Sequence, residues 1–200
     1  NCVTEAITRF ARVLEDPAAG RDAKIEAVRL LTHFVGDVHQ PLHVSFADSC
    51  GGCTVRLQTP GGKMSLHELW DTGILEQDLI RRYEAETELS DEEMMHQDVT
   101  PRWRLLAREL VKETLDPDNM TSSRTATVDS VRSLNPRVWA EESFQLTRSP
   151  LFRVSGTISD AYVDEAIPIV EARLRQAGFR LAAILNEAFS GRRTFSKGTP

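Results

Sequence analysis

Long apolar runs are missing from this sequence. No stretch approaches the ~18 consecutive apolar residues a membrane-crossing helix needs. A basic excess is missing too: 24 Lys and Arg stand against 30 Asp and Glu, for a formal net charge of −6. That balance argues against holding nucleic acid by a broad basic patch and counterion release. It leaves room for a nuclease whose metal ions, rather than lysines, meet the phosphate. Cysteine is scarce, with only Cys2, Cys50 and Cys53 in 200 residues. A chain of this length can bury a sizeable core without disulfide staples, and an odd count leaves a free thiol or a partner elsewhere. Neither an initiator Met nor a signal peptide precedes the opening NCVTEAITRF, so a processed chain or a piece of a longer one is expected.

What is present is mostly helical period. Val3, Ile7, Phe10 and Leu14 fall on one face of a helix that Asp16-Pro17 ends. Asp22 is a candidate cap for a second helix, with Ile25, Val28, Leu31 and Val35 on one face and a stop near Pro41. The period breaks over residues 44–64, where Thr54–Gln58 alternates before Pro60-Gly61-Gly62, the pattern of a short hairpin. Ser65 and Glu68 form a capping box that opens a helix from Leu66 to about Tyr83. Thr100-Pro101 begins another, ending near Leu115, followed by polar loop to residue 135 and a short helix from Pro136 to Leu146. Ser159 to Phe189 reads as one long helical stretch with a bend expected at Pro168 or near Gly178. Residues 191–200 read as a disordered tail. The expected architecture is all-α: a single-domain helical bundle over residues 1–190 with a short β-hairpin between two helices.

Four of the five histidines lie between residues 33 and 67. In LTHFVGDVHQPLH, His33 and Asp37 are four apart and leave one helix face together, and His43 follows beyond Pro41. In LHELWD, His67 and Asp71 repeat the spacing. One His-x-x-x-Asp pair is ordinarily a surface hydrogen bond. Two such pairs on two helices, with a further His between them, are how helical bundles build metal sites, and imidazole with carboxylate suits zinc or another borderline divalent metal. His39 leaves the other side of its helix and is expected to support the site rather than bind. Gly36, mid-helix, calls for a reason: room for a metal or a close neighbouring backbone. His96, Arg81-Arg82 and Arg192-Arg193 read as solvated, Met94-Met95 as a small core contact, and Trp70, Trp103 and Trp139 as core or interface. Asn119-Met120-Thr121 fits the glycosylation pattern, which is weak evidence alone.

HFVGDVHQPLH, a Gly-Gly loop, a hairpin and LHELWD together resemble the signature of the trinuclear-zinc nucleases, namely the fungal single-strand-specific nucleases, plant bifunctional nucleases and bacterial relatives. Their fold is shared with bacterial zinc phospholipase C. NCVTEAITRF, VWAEESFQL and IVEARLRQAGFRLAAILNEAF also resemble family helices, so the likeness covers about residues 1–190. It implies that His33 binds one zinc of a close pair and that Asp37, the residue catalysis depends on most directly here, bridges the pair. It implies that His43, His67 and Asp71 hold a third zinc. His39 matches no ligand.

The departures matter as much. Family members start with a zinc-binding Trp, followed by a His, an Asp, a second His and a base-stacking aromatic. None of these is present, so the chain resembles the last two thirds of a family domain. CGGC, Cys50–Cys53, stands where the family often has Gly-Gly-Asn. A C-x-x-C can be a redox motif, half a zinc site or a structural disulfide, and pairing with Cys2 stays open. The resemblance implies hydrolysis of single-stranded RNA and DNA, and of the 3′-phosphate of nucleotides, by metal-activated water. It also implies a secreted or periplasmic setting, no membrane partner and a monomer. Three zincs are implied for the parent and one complete site for this chain, which alone is expected to be inactive. The alternatives are a zinc phospholipase C-type enzyme acting on lipid phosphodiesters, and a non-catalytic helical domain with one structural zinc.

Overall fold

A computed structural model describes residues 2–45, 47–60, 62–86, 100–115, 133–190 and 195. Helix α1 (Val3–Glu15) packs on helix α2 (Arg21–His39) through Ile7, Ala11 and Leu14 on one and Ala27, Leu31, Val35 and Val38 on the other. These residues recur every three or four positions, the spacing that gathers them on one face. Gly20, not Asp22, is the N-cap of α2. Asp22 falls in the first turn, where its carboxylate meets the positive end of the helix dipole. At the other end Pro41 cannot continue the helix, and the chain turns through a tight 3-10 segment, Pro41–Val44.

The hairpin forms as expected, with β1 (Arg56–Thr59) antiparallel to β2 (Gly62–Ser65). A third strand, β3 (Gly156–Thr157), pairs parallel to β1 and gives the order β2-β1-β3. Two residues carry no alternating pattern, so nothing local announced it. The capping box is complete: Ser65 Oγ accepts from the Glu68 amide at 3.1 Å, and the Ser65 amide donates to Glu68 at 2.6 Å. That amide bond also holds the Glu68 carboxyl below the usual range.

The helix it opens is not uniform. After α3 (Leu66–Glu68) comes a π-helical turn, Leu69–Gly73, and then α4 (Ile74–Glu86). Such wide turns often mark functional sites. Gly73 permits close approach of the hairpin here, since a Cβ would lie 2.9 Å from Met64 Sδ.

Helix α5 (Thr100–Leu115) and helix α6 (Pro136–Leu146) follow, the latter capped by the Asn135 side chain on the Arg137 amide. Helix α7 (Asp160–Phe189) runs unbroken through Pro168 and Gly178. It touches three hydrophobic clusters among the described residues. Ala177 and Ile184 join α1, α2 and Trp139; Val163 and Ala166 join Leu42, Leu57, Leu69, Trp70 and Phe152; Ile167 and Val170 pack on Leu75, Leu79 and Leu106. Each fully buried large side chain contributes about 1.5–3 kcal/mol. Trp70 and Trp139 are buried and Trp103 half-buried, the core roles their positions suggested. The all-α bundle with a small sheet is the observed class.

One reading is corrected. Arg81 and Arg82 are not simply solvated. Arg82 binds Asp78, Glu109 and Glu171 at 2.7, 3.0 and 2.9 Å, tying α4, α5 and α7 together, and Arg81 binds Asp164 at 2.8 Å. Phe195, in the stretch read as a disordered tail, is buried on α1. Its amide donates to the Glu15 carboxylate at 2.9 Å, and its carbonyl accepts from Arg12 Nε at 2.7 Å. His96, Met94-Met95, Asn119 and Arg192-Arg193 lie outside the described residues.

Candidate metal centre

Helix α2 delivers His33 and Asp37 one turn apart, with His33 Nε2 3.1 Å from Asp37 Oδ2. The Pro41–Val44 turn swings His43 back over the end of α2, so its Nδ1 lies 3.4 Å from Asp37 Oδ1. From the far side of the hairpin, α3 supplies His67 and the π-helical turn supplies Asp71. Asp71 receives both imidazoles: His43 Nε2 lies 2.9 Å from Oδ1, and His67 Nε2 lies 3.4 Å from Oδ2. The two rings stack with centroids 4.9 Å apart. Donor atoms, one each from His43, His67 and Asp71, lie within 4.8 Å of one another. A cavity of about 400 Å³ opens beside them, lined by Asp37, His43, Cys50, Gly51 and His67 among others.

Orientation of the two rings comes from their other nitrogens. His67 Nδ1 sits 2.9 Å from the Gly51 carbonyl, which can only accept, so Nδ1 carries the proton and Nε2 is left with its lone pair. Asp37 Oδ1 faces His43 from the Nδ1 side. Gln40 bridges the halves, donating to Asp71 Oδ1 at 2.8 Å while its carbonyl accepts from the Leu42 amide. Gly51 is irreplaceable in this geometry. Its φ is +59°, and a Cβ there would lie 2.4 Å from the Leu42 carbonyl oxygen. By contrast, a Cβ on Gly36 would meet nothing within 4 Å among the described residues, so neither suggested reason for that glycine is visible there.

The chemistry of this donor set fits zinc. Two imidazole nitrogens and one carboxylate, with a cavity on the open side, match the three-ligand arrangement that leaves a fourth position for water or substrate. His33 and Asp37 offer two further donors beside it. His33 is the most exposed of the five, its side chain 64 % accessible against about a quarter for His43 and His67.

His39 is turned away from this cluster, as its position on the helix required. It is buried, donates from Nδ1 to the Val35 carbonyl at 2.6 Å and accepts from Arg180 at 2.8 Å through Nε2. Burial first, and then the charge of Arg173, push its pKa down to about 3, so the ring is neutral. Arg173 and Arg180, seven residues apart on α7, are both buried. Arg173 donates from Nε to the His39 carbonyl at 3.2 Å and from Nη2 to Ser143 Oγ at 2.6 Å, while Ser143 donates to the Val38 carbonyl at 2.6 Å. Glu142 neutralises both guanidinium groups, at 3.2 Å to Arg173 and 2.7 Å to Arg180. Burial pushes the Glu142 carboxyl up, but Arg180 and Arg173 outweigh it and hold it below its ordinary value. The last carbonyls of α2, which no residue of the helix itself satisfies, are thus clamped by α6 and α7. That clamp fixes where Asp37 and the turn bearing His43 sit. None of Arg173, Arg180, Glu142, Ser143 or Gln40 was singled out from sequence. Two arginines spaced 7 apart around Ala177, on the face of a helix that is otherwise apolar, were the available signal.

A helical bundle presenting paired His and Asp from two helices around a hairpin is a metal-site architecture. Comparison with known proteins gives it a family. The sequence model of the S1/P1 Nuclease family matches residues 1–190, and the chain belongs to that family. It is 32 % identical over 199 residues to "Endonuclease 4" of Arabidopsis thaliana, covering 96 % of this chain and 61 % of that protein. It is 33 % identical to "Endonuclease 1" of the same plant, covering 94 % and 59 %. It is 25 % identical to "Nuclease S1" of Aspergillus oryzae, covering 92 % and 61 %. The chain therefore spans about 60 % of the length of these curated relatives.

Proposed function

We propose that this protein belongs to a zinc-dependent phosphodiesterase that cleaves single-stranded RNA and DNA and removes the 3′-phosphate from nucleotides. The observation that carries the reading is the convergence of His43, His67 and Asp71 on one point beside Asp37 and a cavity. The relatives' names favour nucleic acid over phospholipid as the phosphodiester. Zinc held by His43, His67 and Asp71 would stabilise charge developing on the leaving 3′ oxygen, and the acidified water would come from the metal pair to which this chain contributes His33 and Asp37.

The chain's own residues do the rest. Gly51 and Asp37 hold the imidazole rings so that Nε2 of each faces Asp71. Gln40 keeps Asp71 aimed at them. Asp37, facing both His33 and His43, links the complete three-residue set to the second pair of donors and is the carboxylate expected to matter most. A net charge of −6 leaves phosphate recognition to metal rather than to lysines. We further propose a monomer working in a secreted or periplasmic setting; among the described residues no helix is long and apolar enough to cross a membrane.

The test is zinc content per chain after purification without chelator, with His67→Ala and His33→Ala alongside. About one zinc per chain, lost in His67→Ala and kept in His33→Ala, supports a single complete site here, with turnover waiting on the remaining donors. Two or more zincs, with release of nucleotides from single-stranded substrate, supports a self-sufficient centre. No zinc in any of the three proteins overturns the metal reading of this chain.

A further inference from the structure

The CGGC segment plays no part in the donor set, yet it touches the site at two points. Cys50-Gly51-Gly52-Cys53 is a tight turn closed by the Cys53 amide on the Cys50 carbonyl at 3.3 Å. Gly51 and Gly52 have φ of +59° and +87°, the signature of a type I′ turn. Cys50 itself sits at φ +52°, a left-handed conformation that a residue with a side chain rarely adopts. The ends of such a turn lie within 7 Å, inside the range a disulfide bridges. Cys53 Sγ donates to the Cys50 carbonyl at 2.7 Å. Cys50 is exposed and lines the cavity, so an oxidant can reach it. Enclosed between the two cysteines is Gly51, whose carbonyl orients His67 and where any Cβ would collide with the carbonyl preceding His43. Cys2, by comparison, has its thiol against Thr4 Oγ1 at 3.3 Å.

We propose that Cys50 and Cys53 form a dithiol modification site that small disulfides oxidise to an intramolecular disulfide, clasping the turn that orients His67 and so tightening the metal centre. The coupling to metal rests on the zinc reading above; the oxidation does not. The chemistry is thiol–disulfide exchange. The Cys50 thiolate attacks one sulfur of oxidised glutathione and expels one glutathione thiolate. The Cys53 thiol then attacks the Cys50 sulfur of the mixed disulfide and expels the second. Two thiols are oxidised, one disulfide is reduced to two thiols, and the protons leave with the glutathione. Closing the ring removes the freedom of a turn whose first residue is otherwise held in an unfavourable conformation. The Gly51 carbonyl is then pre-set for His67, the kind of outer support whose loss costs about 10–100-fold in metal affinity.

The experiment titrates the 200-residue chain with oxidised glutathione. Mass spectrometry and differential alkylation then locate the bond, and zinc affinity is measured for the oxidised chain, the reduced chain and the C50S/C53S double variant. The NMR signals of the His67 ring are followed in parallel without metal. Expected are a loss of two hydrogens, protection of Cys50 and Cys53 but not Cys2, and a shift of the His67 ring signals on oxidation. Zinc should bind about three- to tenfold more tightly to the oxidised chain than to the double variant. A bond mapped to Cys2, a persistent glutathione adduct, or unmoved His67 signals overturns the proposal. Equal zinc affinity in the oxidised chain and the double variant overturns the coupling. Zinc binding in none of the three, with the disulfide formed and His67 shifted, overturns the zinc reading and leaves the clasp standing.

Discussion

Replacing Gly51 with Ala is the sharpest probe of how the centre is held. The new Cβ would lie 2.4 Å from the Leu42 carbonyl oxygen and 3.2 Å from His67 Nδ1, in a residue at φ +59°. Left-handed backbone costs an L-residue about 1–2 kcal/mol, and relieving an overpacked contact costs about 1–3 kcal/mol more. We therefore expect Gly51→Ala to lose about 2–5 kcal/mol of stability in urea titration of the metal-free chain. The relief must come from backbone, because the carbonyl it meets belongs to the turn bearing His43. Opening that contact to 3.4 Å, where ordinary van der Waals contact begins, takes about 1 Å and pulls the Gly51 carbonyl off His67. Zinc affinity, read by competition with a chromophoric chelator well below the unfolding midpoint, should drop about 10–100-fold. Gly62→Ala is the control. It has φ +115° but nothing within 4 Å, so it should lose stability through backbone strain and leave zinc affinity unchanged. A folded Gly51→Ala chain that binds zinc within about threefold of the parent would refute the orienting role given to the Gly51 carbonyl.

Other outcomes follow from the same geometry. Gly36→Ala places a methyl group in open space on an exposed helical face and should raise the unfolding free energy by about 0.5–1 kcal/mol in urea. Ser143→Ala leaves the Val38 carbonyl without its hydroxyl donor and Arg173 Nη2 with only the Trp139 carbonyl, and should cost about 1–3 kcal/mol by the same titration. For Glu142→Gln the sign is fixed by linkage. The folded carboxyl titrates below its ordinary 4.5, so its contribution is whole above that pH and is lost as pH falls through the lower folded value. The stability gap between parent and variant should accordingly be flat from neutral pH to about 5 and close in acid, measured by urea titration across that range.

The sequence and the structure agree where the determinants are local. Helical spacing put His33 with Asp37 and His67 with Asp71, and the Ser65–Glu68 box and Pro136 marked helix starts because helix initiation is settled within three residues. The convergence of the two pairs was inferred only from their repetition, since nothing local brings α2 against the π-helical turn. Features made by distant partners stayed hidden. β3 exists because Gly156 and Thr157 meet Leu57 and Gln58, about a hundred residues away in sequence. Arg173 and Arg180 read as routine helix formers until the carbonyls of His39 and Trp139 supply what a buried guanidinium needs. Arg81-Arg82 looked solvated because the acids that pair with Arg82 come from three helices. The cap of α2 moved from Asp22 to Gly20 because an acidic side chain is equally at home inside the first turn.

Helix α7 is about 45 Å of continuous rod, at 1.5 Å per residue. Pro168 is its seam: a residue with no amide hydrogen, it leaves the carbonyl four residues earlier without its usual helical donor. The sheet-side cluster meets α7 around that seam, from Tyr162 to Val170, and the α1–α2 cluster meets it only from Ala177 onward. Amide protons on the two sides can therefore exchange with solvent at different rates, as two cooperative units sharing one rod. The ligand set straddles the same division, with Asp37 and His43 at the end of α2 and His67 and Asp71 beyond the hairpin. An ion bound there would act as a rivet across the seam. Exchange on both sides should then slow together, by RT ln(1 + [L]/Kd) for every opening that breaks the centre.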